Sequence, residues 1–500
     1  MDDARTQPAT AALQSRRTEA IPVAPASPAA PGRPPHPRRW AALAVLAVAQ
    51  FMVVLDSSIV NIALPDIGTG LHMTASSLSW VVTAYVLTFG GLLMLGGRIA
   101  DLRGRRGTFL TGLAGFAAAS AVAGFAPTAG TLIAARAVQG SAAALMSPAA
   151  LSLVTTLFSG GERAKALGVW GAVAGGGGAA GVLLGGVLTG TFGWPAVFFV
   201  NLPVAAGVAA GALHYVPRGT GTRGRIDLPG AITLTTGLAA TVYGLSQSHD
   251  EGFASPLVLT SLGLGAILLA AFIATERAVA QPLVPLRIFG LRTVTSANAV
   301  MAAIGAATVG LFFFLSLYLQ QILRYTPLEA GLSQLPLALT ITTAAWLAPR
   351  LAARTSVRTV LVTGPLLLTA GLGWLSTASV HGTYTGDVLG PALLVGAGLG
   401  LSFVSVNVTA AAQVAPSDAG LAGGLITTTQ QVGGALGLAL LTAVATNRTG
   451  TSASPAAVDS GFRAAFLTAA AIAAAAALIA ALIAPRTGRP AAAPATGETA

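Results

Sequence analysis

Asp56 and Arg136 are the only ionisable side chains that we place well inside long apolar stretches of the sequence. A charge in the hydrocarbon core of a membrane is costly, so such residues are candidates for a functional role. If both stretches cross a membrane, Asp56 lies ~24 Å along its helix, about 6 Å from the outer edge of a ~30 Å core. Arg136 lies about 7–8 Å from the same edge. Because the two depths match, we predict that these side chains face each other.

The chemistry available to this pair is proton binding. Burial favours the neutral form of the Asp56 carboxyl, whereas a guanidinium beside it favours the carboxylate. If Arg136 moves away in another conformation, Asp56 could take up a proton on the outer side and release it inside. The alternative is a permanent ion pair that only holds two helices together.

The residue types present exclude several other chemistries. The chain has no cysteine, which excludes disulfides, thiolate zinc sites and cysteine nucleophiles. Its five histidines lie in tails, loops or helix ends and have no metal-ligand spacing. The glycine run at 175–178 has no Lys-Ser/Thr pair after it, so close helix packing explains it better than a phosphate loop. We therefore expect no metal, no cofactor and no enzymatic activity, with an ion gradient as the source of energy.

The elements that must position Asp56 and Arg136 are membrane helices. Charged residues make up 9% of the 500-residue chain and hydrophobic residues 54%, with a mean hydropathy of +0.75, whereas about 25% of residues are charged in soluble domains. Lipid admits only helices and closed barrels, and the alternating pattern of barrel strands is missing. We predict fourteen transmembrane helices, at 40–61, 78–98, 108–126, 131–157, 164–188, 194–214, 227–246, 256–274, 294–320, 328–348, 357–376, 386–408, 421–446 and 461–484.

The basic residues predict how these helices are oriented. Of the 27 basic residues, 23 fall in the two tails and in alternate loops on one side, and three (Arg324, Arg448 and Arg463) fall on the other. By the positive-inside rule, both termini are cytoplasmic. The net charge of +11 therefore reflects orientation in the cell membrane rather than nucleic-acid binding. Residues 1–39 and 485–500, which are rich in Ala and Pro, are predicted to be disordered cytoplasmic tails.

The loop between the second and third predicted helices carries a recognisable motif. The stretch Gly97–Arg106 resembles the G-x-x-x-D-x-x-G-R-R signature of the major facilitator superfamily. Its acid, Asp101, is placed to meet a helix N-terminus or an arginine. The matching positions are Gly97, Asp101, Gly104, Arg105 and Arg106.

Four further stretches resemble motifs of the fourteen-helix drug:proton antiporters of that superfamily. Leu55–Pro65 is similar to the first-helix motif L-D-x-x-x-V-N-x-A-L-P, and Arg136–Gly140 is similar to the fourth-helix motif R-x-x-Q-G. Thr428–Gly434 is similar to the thirteenth helix of these antiporters. In the fifth helix, Val182 replaces the usual motif proline. The glycines of that fifth-helix antiporter motif are Gly177, Gly181, Gly185 and Gly186.

The resemblance implies an all-α polytopic membrane protein of the major facilitator fold. Two six-helix bundles, 40–214 and 294–484, would flank two inserted central helices at 227–274. It implies proton-coupled export of lipophilic drugs or antibiotics by alternating access, with Asp56 and Arg136 in proton coupling and the 97–106 loop as a cytoplasmic gate. We expect a monomer whose partners are a small lipophilic substrate, protons and the lipid bilayer, with no nucleic acid. Two alternatives remain: a dedicated exporter of one endogenous metabolite, and a non-transporting membrane receptor of the same fold.

Several polar and aromatic residues lie on helices that line the cavity in related transporters. Each is a candidate substrate contact, although it could equally join two helices. Asp227 mainly indicates a helix start, and the Phe312–Phe314 run is typical of packing against lipid or a neighbouring helix. The candidate cavity residues are Gln50, Asn61, Trp80, Tyr85, Asn298, Gln320, Asn407 and Gln430.

Overall fold

The computed structural model describes residues 38–219, 221, 226–252, 254–279, 281–415, 418–450 and 454–483. The predicted tails lie outside these residues, apart from Arg38 and Arg39 at the start of the first helix. Fourteen long helices run through the described part of the chain. They are α1 (Arg39–Gly70), α2 (Ala75–Arg103), α3 (Arg105–Gly124), α4 (Ala129–Leu157), α5 (Gly160–Phe192), α6 (Ala196–Tyr215), α7 (Leu228–Glu251), α8 (Pro256–Ala278), α9 (Arg292–Ile322), α10 (Pro327–Arg354), α11 (Val357–Leu375), α12 (Tyr384–Ala411), α13 (Ala419–Thr449) and α14 (Pro455–Ile483).

Each predicted apolar run coincides with one of these helices. Thirteen of them are long and apolar enough to cross a membrane among the described residues. The fourteenth, α13, is 31 residues long and carries the polar run Thr427–Gln431 near its middle, which lowers its hydropathy. The prediction of a polytopic all-α membrane protein is therefore confirmed.

The helices extend beyond the apolar runs because their ends are stabilised by polar groups. Thr74 and Thr128 cap α2 and α4 by accepting a backbone N–H three residues on, which satisfies a donor that the helix leaves free. At α10, Thr326 and Glu329 form a reciprocal capping box. The α1 helix continues past its predicted end at 61, through Pro65.

Helices α1–α6 and α9–α14 pack in the same pattern. In the first group α1 packs on α5 and α6, α4 on α2 and α3, and α3 on α6. In the second group α9 packs on α13 and α14, α12 on α10 and α11, and α11 on α14. The two groups, called here the N-half and the C-half, meet through α2 with α13 and α5 with α10. This repeat is the architecture of two six-helix bundles that the resemblance implies, and the bundle boundaries read from the sequence stay predictions.

The two additional helices form a hairpin beside the contact between the halves. Helix α7 packs on α8 and also on α2 of the N-half and α13 of the C-half. A short 3-10 turn at Leu286–Gly290 lies between α8 and α9. The hairpin therefore touches both halves through α7.

On the predicted outer side, the halves are joined by hydrogen bonds and close helix contacts. Ser316 Oγ of α9 donates to the Asn61 carbonyl at 2.5 Å, and Gln320 Nε2 donates to the Ile62 carbonyl at 2.9 Å. Nearby, a Cβ on Gly186 would lie 2.7 Å from the Pro327 carbonyl oxygen of α10. Only glycine permits this approach, so the outer ends of the halves are closely packed.

Candidate functional site

An ion pair lies buried in the N-half. Arg136 Nη1 of α4 lies 2.6 Å from Asp56 Oδ2 of α1, and the two side chains are 1% and 0% exposed. This is the contact that the matched depths predict from the sequence. Since a buried charge is tolerated only when it is paired and hydrogen-bonded, the surroundings of both groups decide what the pair can do.

The second carboxylate oxygen of Asp56 accepts two amide hydrogen bonds. Gln139 Nε2 and Asn201 Nδ2 each donate to Asp56 Oδ1 at 2.8 Å. The same two amides donate to Ser120 Oγ, at 2.8 Å from Gln139 and 3.3 Å from Asn201. Asp56 therefore accepts three hydrogen bonds from α4 and α6, the arrangement that suits an ionised carboxylate.

Arg136 has partners that do not depend on Asp56. Its Nε donates to the Val81 carbonyl of α2 at 3.0 Å, and its Nη1 also donates to Gln139 Oε1 at 2.7 Å. The guanidinium carbon lies 4.2 Å from the centre of the Tyr85 ring, within the range of a cation–π contact. If Asp56 takes a proton, Arg136 therefore keeps two hydrogen bonds and an aromatic face.

The antiporter-motif glycines bring α5 against α1 beside Asp56. A Cβ on Gly181 would lie 2.7 Å from Ser58 Cβ and 2.9 Å from the Leu55 carbonyl oxygen. Gly177 and Gly185 face the same helix one turn away on either side. Gly186 instead faces α10 of the C-half. Helix α5 thus connects the surroundings of Asp56 to the contact between the halves.

The 97–106 motif forms a compact turn between α2 and α3. Asp101 Oδ1 lies 3.3 Å from Arg105 Nη2, and Arg106 Nη2 donates to the Leu213 carbonyl near the end of α6 at 2.7 Å. Gly104 has φ +98° and joins the two helices, with a Cβ position 2.9 Å from the Gly219 carbonyl oxygen. Gly97 lies in ordinary contact distance of Pro148. The role of this turn as a gate stays a prediction.

Four of the candidate cavity residues join helices through their side chains. Gln50 Oε1 accepts from Ser147 of α4, and Trp80 Nε1 donates to Ser246 of α7. Asn298 Oδ1 accepts a hydrogen bond from Thr429 of α13. Gln320 Nε2 donates to the Ile62 carbonyl of α1. A role of these residues in substrate binding stays a prediction.

The other four candidate cavity residues differ in their surroundings. Tyr85 is 1% exposed and lies against Arg136. Asn61 bonds within α1 and accepts Ser316 through its carbonyl. Asn407 is exposed and donates to its own helix, whereas Gln430 is half-buried and its carbonyl abuts Gly305. Of the four residues, Asn407 has the most exposed side chain.

The sequence analysis missed several polar residues of the buried network. Ser120 and Asn201 are single polar residues in apolar helices, which resemble ordinary helix-joining residues on sequence. Gln139 lies in the Arg136–Gly140 motif. That motif was the sequence feature that could have identified it as part of the network. Asp56 and Arg136 are the ionisable side chains predicted well inside the apolar runs, but other acids are buried as well, since Glu276 and Asp459 are each 4% exposed. Both lie close to helix ends that extend beyond the predicted apolar runs.

The fold and this site together define a class of protein: a polytopic membrane protein with a charge network in one of two similar halves. The model of the Major Facilitator Superfamily matches residues 46–438. The chain therefore belongs to the Major Facilitator Superfamily, whose members are membrane transporters.

Relatives within this superfamily are similar over most of their length. The puromycin resistance protein pur8 of Streptomyces alboniger is 44% identical over 434 residues, covering 85% of this chain and 86% of pur8. The cephamycin export protein CmcT of Amycolatopsis lactamdurans is 41% identical over 432 residues, covering 85% of this chain and 88% of CmcT.

A solved structure supports the fold. The crystal structure of a bacterial homologue of the human lysosomal transporter Spinster, in an inward-facing and unoccupied conformation, matches with a TM-score of 0.66 at 16% identity. The match covers 90% of this chain and 97% of that chain. At this identity the likeness concerns the fold alone.

Proposed function

We propose that this protein is a plasma-membrane transporter that exports antibiotics or related lipophilic compounds in exchange for protons by alternating access. Export of antibiotics is supported by two relatives more than 40% identical over 85% of this chain, which are named for puromycin resistance and cephamycin export. Proton exchange is supported by the buried Asp56–Arg136 pair. The positive-inside bias of the loops supports cytoplasmic termini.

The observation that carries the proton-coupling proposal is that the Arg136 guanidinium has partners other than Asp56. In this structure Asp56 accepts hydrogen bonds from Arg136, Gln139 and Asn201. Protonation of Asp56 removes its charge and weakens these bonds. Arg136 then keeps its hydrogen bonds to the Val81 carbonyl and to Gln139 Oε1, and its cation–π contact with the Tyr85 ring. The network therefore has two acceptable arrangements, one for each state of the carboxyl.

The position of Asp56 on α1 supplies a route from protonation to the outer contact. Asn61 and Ile62 accept hydrogen bonds from α9, and they lie about 8–9 Å farther along α1 at 1.5 Å per residue. Leu55 and Ser58, on either side of Asp56 in the sequence, pack against Gly181 of α5. A small shift of α1 on protonation would therefore act directly on its hydrogen bonds to α9. Through α5, it would also act on the contact of Gly186 with α10.

A dedicated exporter of one endogenous metabolite is the second candidate. It is favoured by the names of the two relatives, each of which mentions a single compound. The mechanism would be the same, and only the range of substrates would differ.

Accumulation measurements test the proposed function. Cells that overexpress the chain and control cells that lack it are loaded with puromycin or with a lipophilic fluorescent cation, with and without a protonophore. We expect lower accumulation in the expressing cells and loss of this difference with the protonophore. Normal accumulation of every tested antibiotic in cells that hold folded protein would contradict broad drug export. It would leave the dedicated exporter, which a panel of the natural host's own metabolites then tests.

A further inference from the structure

Two carboxyl groups face each other at the cytoplasmic end of the α7–α8 hairpin. Asp227 caps α7, and its Oδ1 accepts the Gly230 N–H at 2.9 Å. Glu276 lies in the last turn of α8, and its Oε2 accepts the Val284 N–H at 2.9 Å. Both residues are 4% exposed. One oxygen of each carboxyl is therefore engaged by the backbone.

The other oxygen of each carboxyl is buried without a hydrogen-bond partner. These atoms, Asp227 Oδ2 and Glu276 Oε1, lie 2.5 and 3.0 Å from the point where a Cβ on Gly230 would sit. They consequently point into the same small space, which glycine leaves open. A buried polar atom without a partner is uncommon and calls for a ligand or a proton.

In the part of the chain that the structure describes, three cations on neighbouring elements are engaged elsewhere or exposed. Arg98 donates to Gln281, and Arg287 pairs with Asp418 at 3.3 Å. Arg277, next to Glu276 in sequence, is exposed. The charged groups among the described residues of the surrounding elements are Arg98, Asp101 and Arg103 of α2, Arg277 of α8, Arg287 of the segment between α8 and α9 (called here the linker), Arg292 of α9 and Asp418 just before α13.

Two carboxylates that share one buried space cannot both be ionised, as in acid dyads that share a proton. We propose that Asp227 and Glu276 bind one proton between Oδ2 and Oε1 and so form a second proton-binding site, on the cytoplasmic side of the protein. The proton is donated by the carboxyl that holds it to the carboxylate that does not. This site lies outside the Asp56 network and does not depend on it.

The pair anchors a segment that joins both halves. Val284, whose N–H donates to Glu276, belongs to an apolar cluster with Leu283 and Ile288 of the linker. The same cluster includes Leu95 of α2 in the N-half and Leu425 of α13 in the C-half. When the proton leaves, the two carboxylates repel each other, and the linker loses its fixed position against α2 and α13. The proton thus stabilises the cytoplasmic contact between the halves.

Infrared spectroscopy of the purified full-length protein tests the proposal directly through the C=O band of protonated carboxyls. We compare wild type with Asp227→Asn, Glu276→Gln and the control Glu162→Gln, an acid on α5 whose side chain is 43% exposed. We expect wild type and the control to retain a protonated carboxyl at a pH where free carboxyls are ionised, and both pair variants to lose it. The double variant D227N/E276Q must lose it as well, which keeps the test valid if a single variant does not fold. An unchanged band in these variants would overturn the proposal.

Thermal stability against pH gives a second readout. Wild type should become less stable as pH rises through the range in which the shared proton is lost, because two buried carboxylates then remain. In Glu276→Gln the amide donates permanently to Asp227 Oδ2, so this part of the pH dependence should disappear. The same pH slope in wild type and Glu276→Gln would overturn the proposal, whatever the result of the drug accumulation measurements.

Discussion

The two halves share one packing pattern but fill it with different chemistry. In the N-half, α1, α3, α4 and α6 enclose the polar network of Asp56, Arg136, Gln139, Asn201 and Ser120. In the C-half, the corresponding contact between α9 and α14 is aromatic, with Phe314 5.7 Å from Phe462 and 6.5 Å from Phe466 between ring centres. Under the proposed function, the polar network of the N-half is the part that responds to a proton, and the aromatic contact of the C-half is expected to stay unchanged.

Breaking the ion pair should have the largest effect on stability. Arg136→Met leaves the Asp56 carboxylate buried without its charge partner, which costs about 3–5 kcal/mol in free energy of unfolding. Adding Asp56→Asn should restore much of that loss, because no unpaired buried charge remains. Thermal unfolding of both variants in detergent measures this difference. The control Arg324→Gln, on the exposed outer loop of the C-half, should stay within about 0.5 kcal/mol of wild type. An equal loss of stability in Arg136→Met and in the double variant would contradict the account.

Removing an aromatic side chain from the C-half should affect stability without affecting proton coupling. Phe314 is 3% exposed, so Phe314→Ala opens a cavity and costs about 3 kcal/mol. The protonophore sensitivity of efflux per folded molecule should remain that of wild type. A variant that folds but transports independently of the proton gradient would show that the C-half core takes part in coupling.

A smaller effect is expected at the contact between α5 and α1. Gly181→Ala places a methyl group 2.7 Å from Ser58 Cβ, and such overpacking costs about 1–3 kcal/mol. Efflux should fall as well, because the helix that carries Asp56 is displaced. Gly171→Ala is the matched control on the same helix, since nothing lies within 4 Å of its Cβ position. The control should be neutral or more stable by up to about 1 kcal/mol. If both variants behave alike, close packing beside Asp56 is unimportant.

The smallest effect is expected at the outer contact between the halves. Gln320→Met removes one hydrogen bond between helices, worth ~0.6 kcal/mol, and should raise the population of the outward-open state about threefold. Because the chain has no cysteine, a single Ala63→Cys substitution at a buried outer position of α1 reports this opening by its labelling rate. An unchanged labelling rate would mean that this bond does not hold the outer side closed.

The sequence predicted the helices better than the contacts between them. Hydropathy located every long helix because lipid demands a continuous apolar run, but it missed the ends. The helix α14 begins at Pro455 rather than 461, and this places Asp459 inside it. The Asp56–Arg136 contact was predictable because two rare charges lie at one depth. Asp227 and Glu276 come together only through the α7–α8 hairpin, so the sequence showed Asp227 as a cap and gave no signal for its partner.

The measurement that tests the central claim most directly compares Asp56→Asn with Asp66→Asn in proteoliposomes. The second variant lies on the same helix ten residues farther along and serves as the matched control. Transport of a substrate identified in the accumulation measurements is recorded with a pH gradient and, separately, as exchange without one. We predict that Asp56→Asn abolishes accumulation driven by the pH gradient but retains exchange, while Asp66→Asn retains both. Full gradient-driven transport in Asp56→Asn would contradict proton coupling through Asp56.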